Sequence, residues 1–247
     1  MRVGLFIPCY VDQLAPEVGL ASVAVLERAG CAVDYDPDQT CCGQPFLNLG
    51  LADAAAGLAR RHLARFARYD AIVCPSASCV ATVRCHYAGL GVGADEAGRR
   101  VRDRTFELSE FLVSELGAPP LGARFPHRVA LLQSCHGLRE LGLGSPSEAP
   151  AEAKPGPTER LLRGVEGLDL VFASRPDECC GFGGAFAVEF PEVSGRIGRA
   201  RLADLAATGA AFVTATDASC LLHLDGIRRR QSAGPRAIHL AEILASR

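Results

Sequence analysis

Two adjacent cysteine pairs, each followed by glycine, mark this sequence: DQTCCGQP at residues 38–45 and DECCGFGG at residues 177–184. Neighbouring side chains on extended backbone point to opposite sides, so such a pair chelates a single ion poorly. It suits a multinuclear centre, where two sulfurs reach different metal atoms, and the glycine permits a sharp turn and close backbone approach. More cysteines recur around each pair. Cys9, Cys41, Cys42 and Cys79 come first, and Cys135, Cys179, Cys180 and Cys220 follow in the same order. Four thiolates is the usual ligand number of an iron–sulfur cluster. The competing chemistries are a zinc-stabilised binding module and a thiol–disulfide protein that uses vicinal cysteines as a redox switch. Structural zinc sites favour separated ligands, and a simple switch needs two cysteines rather than eight.

The chain has 11 cysteines among 247 residues, a high count. In a reducing cytoplasm these are not expected as structural disulfides, and metal or redox chemistry is the better reading. Isolated Cys31 and Cys85 are expected instead as small buried hydrophobes. Cys74, five residues before Cys79, is a secondary candidate. So are His136 and His223, as ligands or proton relays, against the plainer expectation of histidines hydrogen-bonded near the site. His62, His86, His127 and His239 have no such neighbours and read as structural or exposed. No Ser-His-Asp order or nucleophile elbow stands out, so no catalytic residue is assigned. GLGVGADEAG (89–98) lacks the strand before and helix after that a dinucleotide loop needs.

The elements that must position the thiols repeat as well. RVGLFIPCYVD (2–12) aligns with RVALLQSCHGL (128–138), each an apolar run ending at a cysteine, as a strand buried on both faces would. AIVCPSASC (71–79) is echoed by AFVTATDASC (211–220). Between these landmarks the pattern is helical at 15–30, 52–69 and 105–117. The fold class expected is therefore α/β, with two similar parallel-sheet halves from an internal duplication. A boundary near 118–127 gives domains 1–126 and 127–247, and 142–157, rich in Pro, Gly, Ala and Ser, reads as a flexible insertion. Loops at the carboxyl ends of parallel strands converge on a crevice, so four sequence-distant thiols can meet in each half, at equivalent crevices. Cys79 and Cys220 should stand at helix starts, where backbone N–H groups favour thiolates.

Composition narrows the function. Hydrophobic residues make up 49%, enough for a real core, and the net charge of −2 argues against a nucleic-acid surface. The arginine string GIRRRQ (226–231) reads as a solvated helix face. No signal peptide is evident, and no apolar run approaches the ~20 residues of a membrane span. The chain is expected to be soluble and cytoplasmic.

In these residues the chain resembles the cysteine-rich CCG-domain family of iron–sulfur proteins. CCGQP, PSASC, SCH (134–136), CCGFGG and IHLAEIL (238–244) carry the resemblance. That family includes the CCG-bearing component of heterodisulfide reductase and the iron–sulfur components of glycolate- and glycerol-3-phosphate-oxidising complexes. It also includes the lactate utilization protein A family, and that resemblance runs over essentially the whole chain. The resemblance implies [4Fe-4S] clusters on the eight cysteines. It further implies an electron-transfer subunit, rather than a complete enzyme, of a complex that oxidises L-lactate to pyruvate. The partners it implies are other subunits of that complex, including a further iron–sulfur protein. Many members end each motif with Cys-x-x-Cys, where this chain has Thr82 and His223; Ala218 also stands where the lactate proteins usually have a cysteine.

Overall fold

The computed structural model describes residues 1–148 and 154–247. Among the described residues eight strands run β1 Arg2–Leu5, β2 Ala32–Tyr35, β3 Ala71–Cys74, β4 Thr105–Glu107, β5 Arg128–Leu131, β6 Asp169–Val171, β7 Phe212–Ala215 and β8 Arg236–His239. They form two four-stranded sheets of order β2-β1-β3-β4 and β6-β5-β7-β8, and every pairing is parallel. The chain is thus α/β, with two similar halves. In each, the path steps from the first strand to one neighbour and then crosses to the other side. The loops after β1 and β3, and after β5 and β7, therefore part at a switch point, where an open α/β sheet has its crevice.

Central strands β1, β3 and β5 are buried along almost their whole length because helices cover both faces. Helix Pro16–Arg28 opens on a proline and stops before Gly30, whose φ of +84° no longer fits a helix. Helix Ala52–Phe66 buries Ala55, Ala59 and Phe66. The helix expected over 105–117 is shorter. Thr105–Glu107 is strand β4, paired with β3, and the helix covers Leu108–Ser114. Glu107 ends the strand and starts the helix: its carboxylate accepts from Ser109 and Glu110 N–H while Glu110 returns to the Glu107 N–H. The same device recurs at His239 and Glu242, between β8 and helix Leu240–Ala245.

The halves share one core. Val3, Leu5, Val25 and Phe111 lie in the same buried cluster as Val129, Leu131, Leu162 and Ile243. The contacts are reciprocal, as in a two-fold dimer. Helix Pro16–Arg28 packs on Leu240–Ala245, and its counterpart Pro157–Arg163 packs on Leu108–Ser114. Arg28 seals one seam by donating to the carbonyls of Leu121, Leu244 and Ala245 at 3.0–3.2 Å.

Of the expected insertion at 142–157, residues 149–153 lie outside the described residues. Its flank is tied down, since Ser147 donates from both N–H and hydroxyl to Asp177 at 3.0 Å. Cys31 is buried in the shared core. Cys85, expected there too, is exposed: it lies on the outer side of the π-helical turn Thr82–His86. Among the described residues no helix is long and apolar enough to cross a membrane.

Candidate cluster-binding site

Each cysteine stands where a strand delivers it. Cys9 and Cys135 open the short helices Cys9–Leu14 and Cys135–Arg139, directly beyond β1 and β5. Cys79 and Cys220 are the third residues of helices Ala77–Ala81 and Ala218–Gln231, beyond β3 and β7. The adjacent pairs follow β2 and β6, and each ends on a left-handed glycine. Gly43 has φ +92° and Gly181 has φ +87°. The turn folds each glycine N–H back onto the first sulfur of its pair, Gly43 onto Cys41 at 3.4 Å and Gly181 onto Cys179 at 3.3 Å.

The thiols pair alike in both halves. Cys9 Sγ lies 3.7 Å from Cys41 Sγ, and Cys42 Sγ lies 3.4 Å from Cys79 Sγ. In the second half the free thiols of Cys135 and Cys179 lie close enough to influence each other, and Cys180 Sγ lies 2.9 Å from Cys220 Sγ. Within each pair the first thiol thus lies toward the first-strand cysteine and the second toward the third-strand cysteine, while the two remain close enough to hydrogen-bond each other. The second member of each pair is the buried one. Among the described residues no three or more of His, Cys, Asp and Glu are grouped to hold one metal ion.

The two groups do not occupy separate crevices, as expected, but line a single cavity between the halves. Its walls come from matching positions. Tyr10, after Cys9, meets Phe182, after the second CCG, edge-to-face with ring centres 5.5 Å apart. His136, after Cys135, meets Gln44, after the first CCG, at 3.1 Å. One wall is therefore apolar and the other polar.

Charge is distributed unevenly among these thiols. Cys41 is held far below the ordinary thiol range because the Cys42 and Cys9 thiols, and then the Gly43 N–H, donate to it. Cys179 is lowered likewise by Cys135, Cys180 and the Gly181 N–H, with His136 adding a smaller pull. Their donors Cys9, Cys42, Cys135 and Cys180 are pushed up, first by those same hydrogen bonds and then by burial. The first cysteine of each pair is thus the preferred thiolate. Eight soft thiols in two like groups, each backed by a backbone N–H, match the donor set of an iron–sulfur centre.

The secondary candidates divide. His136 lines the cavity, with Nδ1 3.6 Å from Cys135 Sγ. The Gln44 amide nitrogen lies 3.1 Å from Nε2, and Nδ1 faces the sulfur. His223 points elsewhere: its ring packs against Gly198 and Phe182. Cys74 is wholly buried at the end of β3, next to Cys79, and does not line the cavity. Sequence reasoning missed Asp217, Ser76, Gln44 and Phe182, all of which line it. Their one signal was position, since each lies within three residues of a proposed ligand.

Comparison with known proteins gives a consistent answer. Residues 3–84 and 129–225 match the cysteine-rich CCG domain. The chain is 36% identical to lactate utilization protein A of Macrococcus caseolyticus, over 99% of this chain and 96% of that one. It is also 36% identical to the proteins of that name from Bacillus velezensis and Geobacillus kaustophilus, over 100% of both chains in each case. Among solved structures, a putative Asp/Glu racemase from Yersinia pestis matches at a TM-score of 0.38 and 14% identity, covering 99% of this chain and 95% of that one. A likeness at that level bears on neither fold nor function. The chain belongs to the cysteine-rich CCG-domain family, with two copies of the domain, and within it to the lactate utilization protein A family.

Proposed function

We propose that this chain is the iron–sulfur electron-transfer subunit of a complex that oxidises L-lactate to pyruvate. The observation that carries the reading is two groups of four thiols, paired alike and facing one cavity. Cys9, Cys41, Cys42 and Cys79 are assigned to one [4Fe-4S] cluster, and Cys135, Cys179, Cys180 and Cys220 to a second. When bound, such clusters supply one-electron transfer at potentials set by hydrogen bonds to sulfur and by burial. The Gly43 and Gly181 N–H groups supply those bonds here, and His136 Nδ1 faces the Cys135 sulfur. Tyr10 and Phe182 shield one wall from water. The named relatives point to lactate as the substrate of the complex. Its primary oxidation is assigned to a partner subunit, with a further iron–sulfur protein as electron partner. Residues 1–126 and 127–247 are the two copies in this reading, and the chain works in the cytoplasm.

Anaerobic purification followed by iron and acid-labile sulfide analysis tests the assignment. Brown protein with the two in similar amounts is expected; stoichiometric zinc without sulfide would reject it. Cys42→Ser should remove about half of the iron, together with lactate-dependent electron transfer in the reconstituted complex. Cys74→Ser, outside the cavity, should leave both. Cys180→Ser should lose less iron than Cys42→Ser if the second group, which has no counterpart of Cys74, is the weaker site; equal iron loss in the two would reject that ranking. A second reading, thiol–disulfide exchange, draws on the 2.9 Å approach of Cys180 and Cys220. It requires reversible formation of that one disulfide, under a disulfide oxidant, in protein that binds no iron.

A further inference from the structure

Asp217 stands where the two halves meet. It is 1% exposed and lines the shared cavity. Its carboxylate accepts four hydrogen bonds, all from residues outside its own loop. Oδ1 accepts from the Ser76 hydroxyl at 2.7 Å, the Ser78 hydroxyl at 2.8 Å and the Ser78 N–H at 3.1 Å. Oδ2 accepts from the Ser134 hydroxyl. Bonds to an ionised acceptor are the strong ones.

Two of those hydroxyls are helix caps. Ser76 Oγ accepts from the Cys79 N–H at 3.3 Å, at the start of helix Ala77–Ala81. Ser134 Oγ accepts from the Gly137 N–H at 3.3 Å, at the start of the helix that Cys135 opens. Asp217 is itself the N-cap residue of the helix that carries Cys220, yet its side chain makes no bond to that helix. It is turned across the boundary. One carboxylate is therefore tied to the loops of Cys79, Cys135 and Cys220, which come from both halves.

The duplication explains why the residue differs between copies. CPSASC (74–79) aligns with ATDASC (215–220), so Ser76 and Asp217 are equivalent positions that meet each other. Two aspartates there would put like charges within hydrogen-bond reach, and one would have to take a proton. Two serines would remove the acceptor that Ser78 and Ser134 both use. One of each satisfies the shared position.

We propose that Asp217 is a positioning residue that locks the Cys79 loop of the first half to the Cys135 loop of the second, so that the two thiol groups respond as one unit. The inference rests on the reading of this cavity as the functional site. Its test needs no cluster, so its outcome is separate from that of the iron analysis.

The experiment uses the full-length chain, metal-free and reduced under argon, and follows iodoacetamide alkylation of each cysteine by mass spectrometry. Ser134→Ala removes a cap in the second half only. Cys79, in the other half, should nevertheless react about five- to tenfold faster, while Cys31 in the core keeps its rate. In an Asp217→Ala background the same Ser134→Ala change should leave Cys79 unaltered, because the link is already gone. A residue that merely supported the fold would not produce this coupling. Unchanged Cys79 reactivity on Ser134→Ala would overturn the proposal. So would an equal acceleration in both backgrounds, or a parallel rise at Cys31. Should Asp217→Ala fail to fold, Asp217→Asn replaces it: the amide keeps the volume and one acceptor oxygen, and the coupling should fall to an intermediate value. Full coupling in Asp217→Asn would equally count against the charged link.

Discussion

Glu107 is wholly buried at the start of helix Leu108–Ser114, and among the described residues its Oε1 has no hydrogen-bond partner. Burial pushes its carboxyl up from 4.5 to about 8, against the pull of the Ser109 and Glu110 N–H groups. Burial also lowers two histidines from 6.5, His62 to about 3 and His239 to about 4. Stability rises with pH wherever the unfolded chain holds more protons than the fold. Between 4.5 and 6.5 the unfolded chain holds two histidine protons and the fold holds the one on Glu107, so stability climbs. From 6.5 to about 8 only the folded Glu107 keeps its proton, so stability falls, by at most about 1.4 kcal/mol per pH unit. By themselves these three groups place a maximum near pH 6.5; Cys41 and Cys179, thiolates in the fold and thiols in the unfolded chain, add a rise with pH on both sides of it. Relative to the wild-type chain, Glu107→Gln should gain stability as pH rises from 5 to 8, as read from urea midpoints. A difference between the two chains that does not change with pH would assign the titration to other groups. At this scale the eight thiols were legible because chemistry and spacing coincide in them. Asp217 was not, because its four donors come from sequence-distant loops and no local pattern encodes them. The same holds for the choice between His136 and His223: both neighbour proposed ligands, and only helix packing turns one toward the cavity and the other toward Gly198.

Among the elements, the two CCG turns share a backbone shape but not the same surroundings. A Cβ on Gly43 would meet the Ala55 carbonyl oxygen at 3.3 Å, a tight contact that small shifts relieve. On Gly181 it would meet the Ser194 carbonyl oxygen at 2.8 Å and the Gly198 nitrogen at 3.0 Å, both backbone atoms of helix Pro191–Ala206. Both substitutions carry the left-handed strain of about 1–2 kcal/mol, and only Gly181→Ala adds a clash that a helix must move to relieve. Gly181→Ala should thus lower the unfolding midpoint more than Gly43→Ala, and should free the Cys179 and Cys180 thiols to alkylation. Equal losses in the two variants would show that the helix yields. The need for glycine was legible in CCG itself. Strand β4 was not, because three residues running straight into an amphipathic helix present a helical period throughout. The duplication held the missing clue. RTFELSEFL (104–112) matches RAIHLAEIL (236–244) at Arg, Leu, Glu and Leu, and the second copy shows its strand more openly in Ile238.

For the whole molecule, duplication was legible as ordered landmarks, whereas the way the copies meet was not. Surface complementarity leaves no periodic trace, and the reciprocal packing that merges two expected crevices into one cavity arises from it. That packing makes each half depend on the other. Val18, Val25 and Leu26 of helix Pro16–Arg28, with Phe111 and Leu112, are at most 2% exposed in a cluster that includes Val129, Leu162, Ile243 and Leu244. Burial contributes about 1.5–3 kcal/mol for each large apolar side chain. The five together approach roughly 10 kcal/mol, as much as a whole domain of ordinary stability retains. A fragment of residues 1–126 should therefore show helical far-ultraviolet dichroism without a cooperative melt, and should bind a dye for exposed apolar surface. Mixing it with 127–247 should restore a single sharp transition whose midpoint rises with concentration, as for an obligate dimer. A cooperative, concentration-independent melt in 1–126 alone would instead mean that each copy folds by itself. The cavity would then be a docking event between finished domains rather than a product of the shared core.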